Sequence, residues 1–185
     1  VQDLVVAGGV QNMSMVPIGL ALEAAAPLGH EDPFSGSTGW VNRYGLQEVT
    51  QFRGAEMIAE KWDLSREAME AFAFESHRRA VAAIDEGRFD NEVVPLAGVT
   101  ADEGPRRDVS MERMADLPPL VEGGRLTAAL ASQISDGAAA LLVASERAIA
   151  DWDLTPRARI HHVSVRGDDP ILMLTGPIPA TAHAL

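Results

Sequence analysis

The chain has no cysteine among its 185 residues. That excludes a disulfide framework and a thiolate metal site within it. Long apolar runs are missing as well, and the longest fall far short of the roughly 18 residues a membrane-crossing helix needs. The opening residues, VQDLVVAGG, carry no basic leader, so no secretory signal is expected and a cytoplasmic location is the default expectation. Positive charge is scarce. Fifteen Lys and Arg stand against 27 Asp and Glu, a formal net charge of -12. A chain this acidic is expected to bind neither nucleic acid nor an anionic membrane. Cations do cluster locally: Arg106, Arg107, Arg113 and Arg125 stand close in sequence and can form a patch for an anionic ligand. Histidine offers no metal site. His77 has no second ligand at metal spacing on its helix face, and a structural or surface role is expected for it. His161 and His162, adjacent in an expected strand, point to opposite faces.

Apolar residues make up 46% of the chain, enough for a real core. The length suits one domain, or one domain with a large insertion. A probable strand, Leu4 to Ala7, ends at Gly8 and Gly9. Residues 15 to 45 hold Pro17, Pro27 and Pro33 and read as loop with a short helix near Gly19 to Ala26. Trp40, Tyr44 and Leu46 suit local packing. Val49, Phe52, Ala55, Ala59 and Trp62 recur at helical spacing, predicting a helix over 46–62. Ser65 is a good N-cap for the next, which runs to about Glu86 and stops at Gly87. Its apolar stripe carries Met69, Phe72, Ala73, Ser76, Ala80, Ala83 and Ile84. Val93 to Leu96 reads as a short strand, Ser110 to Ala115 as a turn or two of helix, and Glu146 to Trp152 as helix. Ala158 to Arg166 alternates like a strand. A further helix follows Pro179.

The sequence turns on residues 127 to 143, TAALASQISDGAAALLV. Polar turn and cap chemistry feeds an apolar run, Ala138 to Ala144, which reads as a strand buried on both faces. The order of strand, long helical insertion, strand, helix and strand implies an α/β fold. Leu4 to Ala7 and Ala138 to Ala144 are expected in one sheet.

Four motifs carry a family resemblance. TAALASQISDGAAA resembles the TAGNASGxNDGAAA segment of thiolases, VVAGGVQNMS their VAGGxESMS, GRFDNEVVPL their GxFxxExxP, and DPILMLTGPIPA their DPxxMGxGPxPA. The matches follow the family's order and cover nearly the whole chain. The sequence is most similar to actinobacterial thiolases associated with β-oxidation of steroid side chains. The resemblance implies part of a layered αβαβα fold. Residues 1–14 and 127–152 would belong to the N-terminal half, 15–126 to a helical loop domain, and 153–185 to the start of the C-terminal half. It also implies a segment of a longer protein, about half of a complete thiolase.

The implied activity is acyl transfer to coenzyme A: degradative thiolysis of a 3-ketoacyl-CoA through a Cys nucleophile outside these residues. A thiolate needs a base or a lowered pKa, and backbone N–H groups stabilise the oxyanion. No catalytic residue is assigned in this chain, no metal, and no permanently bound cofactor. CoA is a substrate. What the resemblance assigns is the CoA-facing part. Ser132 would contact the pantetheine arm, and Ala131 and Ala128 would admit it. Arg106, with Arg107 as rival, would pack near the adenine and its phosphates, where a planar guanidinium both stacks and pairs with phosphate. Leu120 and Val121 would lie beside the adenine, Gln51 beside the acyl pocket, and Met173 in the catalytic cavity. Partners would be acyl-CoA and CoA, and a homodimer or tetramer is expected.

This chain departs from the motifs at Gln11, Ala129, Leu130, Gln133, Ser135 and Leu174, which points to a substrate other than acetoacetyl-CoA. The alternative is a non-catalytic thiolase-like protein that binds CoA or a partner. A helical adaptor module fits poorly with the apolar run and the motif order.

Overall fold

A computed structural model describes residues 2–30 and 32–185. The chain divides into two compact units. The first comprises residues 1–47, 134–168 and 175–185, and the second residues 48–133 and 169–174.

The first unit is built on a two-stranded antiparallel ribbon of β1 (Leu4–Gln11) and β2 (Gly137–Ala144). Its register runs from Leu4 opposite Ala144 to Gln11 opposite Gly137. The two expected strands therefore share one sheet. β1 continues through Gly8 and Gly9 instead of ending there, because the small Ala139 and Ala140 stand opposite and the ladder closes over them. A Cβ on Gly8 would sit 2.9 Å from the Ala139 carbonyl oxygen. The expected burial of Ala138 to Ala144 on both faces is not found. β1 is exposed throughout, and in β2 only Ala144 is half-buried. The physical reason is the sheet's size: two strands give no interior position, and α6 (Glu146–Asp151), which packs against β2, covers little of it.

The ribbon is tied at both ends by polar groups. Ser14 donates through its hydroxyl to Asp136 Oδ2 at 2.7 Å and through its amide to Oδ1 at 3.1 Å. Those two bonds hold the Asp136 carboxyl below the usual carboxylate range. At the other end the Ser145 amide donates to the Asp3 carbonyl at 2.8 Å, its hydroxyl donates to Asp3 Oδ1, and Arg147 pairs with the same carboxylate. The Ser145 hydroxyl also accepts from the Ala148 amide and so caps α6.

The remaining helices of this unit are short. α1 (Leu20–Ala25) falls where a helix is expected. α2 (Thr38–Tyr44), capped by Ser37, lies where loop is expected. It has no long periodic stripe, and is held by stacking of Trp40 on Phe34 and Tyr44 at 4.8 and 4.5 Å between ring centres. Leu46 packs on neither and is exposed. Residues 158–166 form no strand and pair with none among the described residues. Alternation makes a strand only where another edge supplies its hydrogen bonds. α7 (Pro177–Ala184) begins at a proline suited to a first helical turn.

The second unit is helical. α3 (Gln51–Lys61) starts later than residue 46, where the Thr50 hydroxyl accepts from the Arg53 amide. α4 (Arg66–Asp85) is capped by Ser65 as expected, and Gly87 stops it at φ +68°. Of the expected apolar stripe, Met69, Ala73, Ala80, Ala83 and Ile84 are half-buried, but Phe72 is 80% exposed and Ser76 is exposed, and the deepest residue of the helix is Glu70 at 2%. Glu70 takes the inner position because Arg66 donates to it at 2.7 Å. Residues 93–96 form no strand. Leu96 bridges Val99 across a tight turn with Ala97 and Gly98 at positive φ. α5 (Met111–Ala115), capped by Ser110, completes the unit.

Candidate functional site

Two buried carboxylates, Glu56 and Glu70, shape the second unit beside a cleft. Glu56, on α3, is 5% exposed. Its oxygens accept from the Arg125 amide at 2.9 and 3.0 Å and the Leu126 amide at 2.8 Å. Arg125 returns the tie, donating to the carbonyls of Ala59 and Leu64 at 3.2 and 2.7 Å. The approach is close enough that a Cβ on Gly124 would lie 2.5 Å from Glu56 Oε1. Glu56 thus fixes the backbone that leads into Thr127 and the 3-10 turn Ala128–Leu130. Thr127 itself is fully buried, and among the described residues its hydroxyl has no partner.

Glu70 does the equivalent for α5. Arg66 pairs with it and spends a second nitrogen on the carbonyls of Met114, Ala115 and Leu117, at 3.0, 2.9 and 2.8 Å. Those carbonyls lie at and just beyond the C-terminal end of α5, where a cation satisfies carbonyl lone pairs and complements the helix dipole.

Between α4, α5 and the 128–133 segment lies a cleft of about 270 Å³, lined by His77, Arg106, Asp108, Val109, Ser110, Arg113, Met114, Leu117, Ala128, Ala129, Ala131 and Gln133. It is mostly apolar with a cationic rim. Arg113 donates to Asp108 at 2.7 Å, which holds the Asp108 carboxyl below its usual range and leaves that pair close to neutral. Arg107 forks onto Asp85 at 2.7 and 3.1 Å, pulling the Asp85 carboxyl down. Arg106 makes no direct ion pair among the described residues, although its charge adds to that of Arg113 in holding Asp108 down. Of the three rim arginines it is the one whose guanidinium has no such direct partner.

Of the residues expected to face CoA, the fold brings Arg106, Ala128 and Ala131 into this cleft. Ser132 is exposed in the adjoining segment and does not line it. Leu120 and Val121 stand in the loop before Gly123, partly exposed. Gln51 is the exposed first residue of α3. Met173 is half-buried in a tight turn at φ +40°, where its amide donates to the Asp169 carbonyl at 3.0 Å. A positive φ in an unbranched non-glycine residue is uncommon and costs energy. His77, for which a structural or surface role is expected, Ser110, expected to open a short helix, and Gln133, a departure from the family motif, also line the cleft. His77 Nδ1 accepts from the Arg106 amide at 3.1 Å, and Gln133 donates to the Gly104 carbonyl at 2.6 Å. A histidine on an inward helix face, 29 residues before an arginine cluster, gives no spacing signal. Only the three-dimensional arrangement joins them.

The described residues hold no group of three or more His, Asp or Glu placed to bind a metal ion, and no helix long and apolar enough to cross a membrane.

Comparison with known proteins adds the following. The model of the thiolase N-terminal domain matches residues 1–147. Steroid 3-ketoacyl-CoA thiolase FadA6 of Mycobacterium tuberculosis is 58% identical over 187 residues, spanning 99% of this chain and 46% of that protein. A 3-ketoacyl-CoA thiolase of Psychrobacter cryohalolentis is 44% identical over 142 residues, 71% of this chain and 36% of its own length. Among solved structures, an acetyl-CoA acetyltransferase of Syntrophomonas wolfei superposes with a TM-score of 0.75 at 34% identity, covering 99% of this chain and 48% of that one. The Bacillus anthracis acetyl-CoA acetyltransferase gives 0.73 at 30% identity, over 98% and 48%. The chain thus spans about half the length, or less, of the relatives it matches.

Proposed function

This chain belongs to the thiolase family, with a thiolase-like α/β fold, and from that premise we propose that the complete protein splits a 3-ketoacyl-CoA by transferring its acyl group to CoA. The nucleophilic thiol lies outside these residues, since none of the 185 is a cysteine. The role of this segment is to receive CoA. The observation that carries the proposal is the meeting of Arg106 with Ala128 and Ala131 in one cleft.

The chemistry follows from the lining. CoA brings phosphates at one end and a thin pantetheine arm at the other. Overall acidity repels it at long range, but screening limits that to about 8 Å at physiological salt. Close, charge-assisted contacts then decide. Arg106 is the phosphate partner, a role that Arg107 fills poorly while its fork is spent on Asp85. The small side chains of Ala128 and Ala131 leave room for the arm, and Ser132 takes a hydrogen bond from it or gives one. Leu120 and Val121 cover the adenine. Gln51 and Met173 belong to the acyl end. Residues 15–126 form the loop domain, 1–14 and 127–152 part of the N-terminal half, and 153–185 the start of the C-terminal half. Steroid or other bulky acyl chains are the proposed substrates, in a homodimer or tetramer, and CoA binds as substrate and not as a resident cofactor.

Calorimetric titration of CoA into the complete protein tests this. Arg106→Ala should weaken binding by roughly 1–3 kcal/mol, the scale of a hydrogen bond to a charged group, and Ser132→Ala by about 0.5–1.5 kcal/mol. If Arg107→Ala weakens binding and Arg106→Ala does not, the phosphate partner is misassigned by one residue. If neither matters, CoA binds elsewhere.

A further inference from the structure

We propose that His77 and Gln133 are positioning residues that together hold the 104–106 turn in the form that presents Arg106 to the cleft, an inference resting on the CoA reading above. The turn has few backbone donors. Pro105 has no N–H. The Gly104 amide is taken by Asp102 Oδ1 at 2.8 Å, within the turn itself. The Arg106 amide remains, and it goes to His77 Nδ1 at 3.1 Å, on α4. The Gly104 carbonyl is taken by Gln133 Nε2 at 2.6 Å, from the segment that follows Ala128 and Ala131. Two side chains on separate elements therefore anchor the turn, one at each end, and both line the same cleft. Gly104 is what lets the glutamine in: a Cβ there would lie 2.9 Å from Gln133 Oε1.

An Nδ1 that accepts from the Arg106 amide carries no proton, which places the ring's hydrogen on Nε2. Across the cleft the charged groups are Arg106, Asp108 and Arg113, of which the last two neutralise each other. On α4 itself Arg78, beside His77, is paired with Glu75.

The test is calorimetric titration of CoA into the complete protein at one fixed pH. His77→Phe removes the acceptor. His77→Asn keeps one near the position of Nδ1. Gln133→Ala, at an exposed position, removes the second anchor without threatening the fold. At pH 8, His77→Phe and Gln133→Ala should each weaken binding about threefold to tenfold, the range for one partly exposed hydrogen bond. The double variant should lose less than the product, because either change already frees the turn. His77→Asn should restore most of the affinity, a rescue that a mere packing role would not give. The latch is overturned if the single variants bind like the parent, or if His77→Asn binds as weakly as His77→Phe. A parent that takes up no CoA sinks the CoA reading and the latch together, whereas tight parental binding with silent variants sinks only the latch.

Discussion

The β1–β2 ribbon and the helical unit invert the usual relation between hydropathy and burial. The ribbon is made of Leu, Val, Ala and Gly, yet Val6, Val10 and Leu141 are exposed. The helical unit is rich in acid, yet its fully or nearly buried side chains include Glu70 and Glu56. In the ribbon, what fixes geometry is backbone pairing and polar ties at the two ends. In the helical unit it is carboxylates turned inward, each bonded to an arginine or to backbone N–H groups. Side-chain polarity alone does not set depth. A buried charge is tolerated where it is paired and hydrogen-bonded, and an apolar strand stays exposed where the fold supplies nothing to cover it.

That contrast can be broken most forcefully at Glu70. Glu70→Ala leaves Arg66 partly buried with its main partner gone and should cost about 3–5 kcal/mol in urea unfolding of the complete protein. Replacing both residues, Arg66→Met with Glu70→Leu, should recover much of that loss, because a packed apolar pair need not satisfy charge. A double variant as unstable as the single would show that the three α5 carbonyls, not the ion pair, need Arg66. Glu56→Ala comes next. It strands the Arg125 and Leu126 amides and should cost roughly 1.5–3 kcal/mol, with CoA affinity falling alongside because the 127–131 backbone loses its support.

A smaller effect separates buried from surface charge. Glu75, half-buried on α4, has its carboxyl lowered to about 2 by hydrogen bonds from Arg78 and Arg79. Its folded-state value lies below its ordinary one near 4.5, so its contribution is complete above that ordinary value and disappears as pH falls toward 2. Stability measured from pH 5 down to pH 2 should therefore fall less steeply in Glu75→Gln than in the parent, and equal slopes would show the pair is solvent-screened to nothing. The smallest effect belongs to the ribbon. In the 185-residue chain Val6→Thr should change stability by no more than about 0.5 kcal/mol, as at other exposed sites. The same change costing well over 1 kcal/mol in the complete protein would reveal that something covers this face there.

The helix ends were legible because caps are local chemistry: Ser65 and Gly87 bracket α4 where the sequence places them. The pairing of the two motif-bearing strands was legible too. Most of the inward stripe of α4 was legible, but not its deepest point: hydropathy assigns Glu70 to solvent and Phe72 to the core, whereas Glu70 is buried against Arg66 one turn away and Phe72 is exposed. Residues 158–166 misled because alternation states a preference for a ladder without supplying its other edge. At the cleft, motif matching reached Arg106, Ala128 and Ala131 but not His77 or Gln133. Their work is to hold another segment's backbone, and such partners leave no pattern along the chain.

The Ser14–Asp136 tie has a further consequence, in the order of folding events. It joins residues 122 apart, and the ribbon it closes cannot form before that span is brought together. Closure entropy grows only logarithmically, so the long span costs about 2 kcal/mol more than one a tenth as long, but the search is slow when contacts are this distant. A compact intervening unit shortens the effective span. Pulse-labelled hydrogen exchange during refolding should find the amides of α4 protected first and those of β1 and β2 last, with the ribbon's protection delayed further in Glu70→Ala.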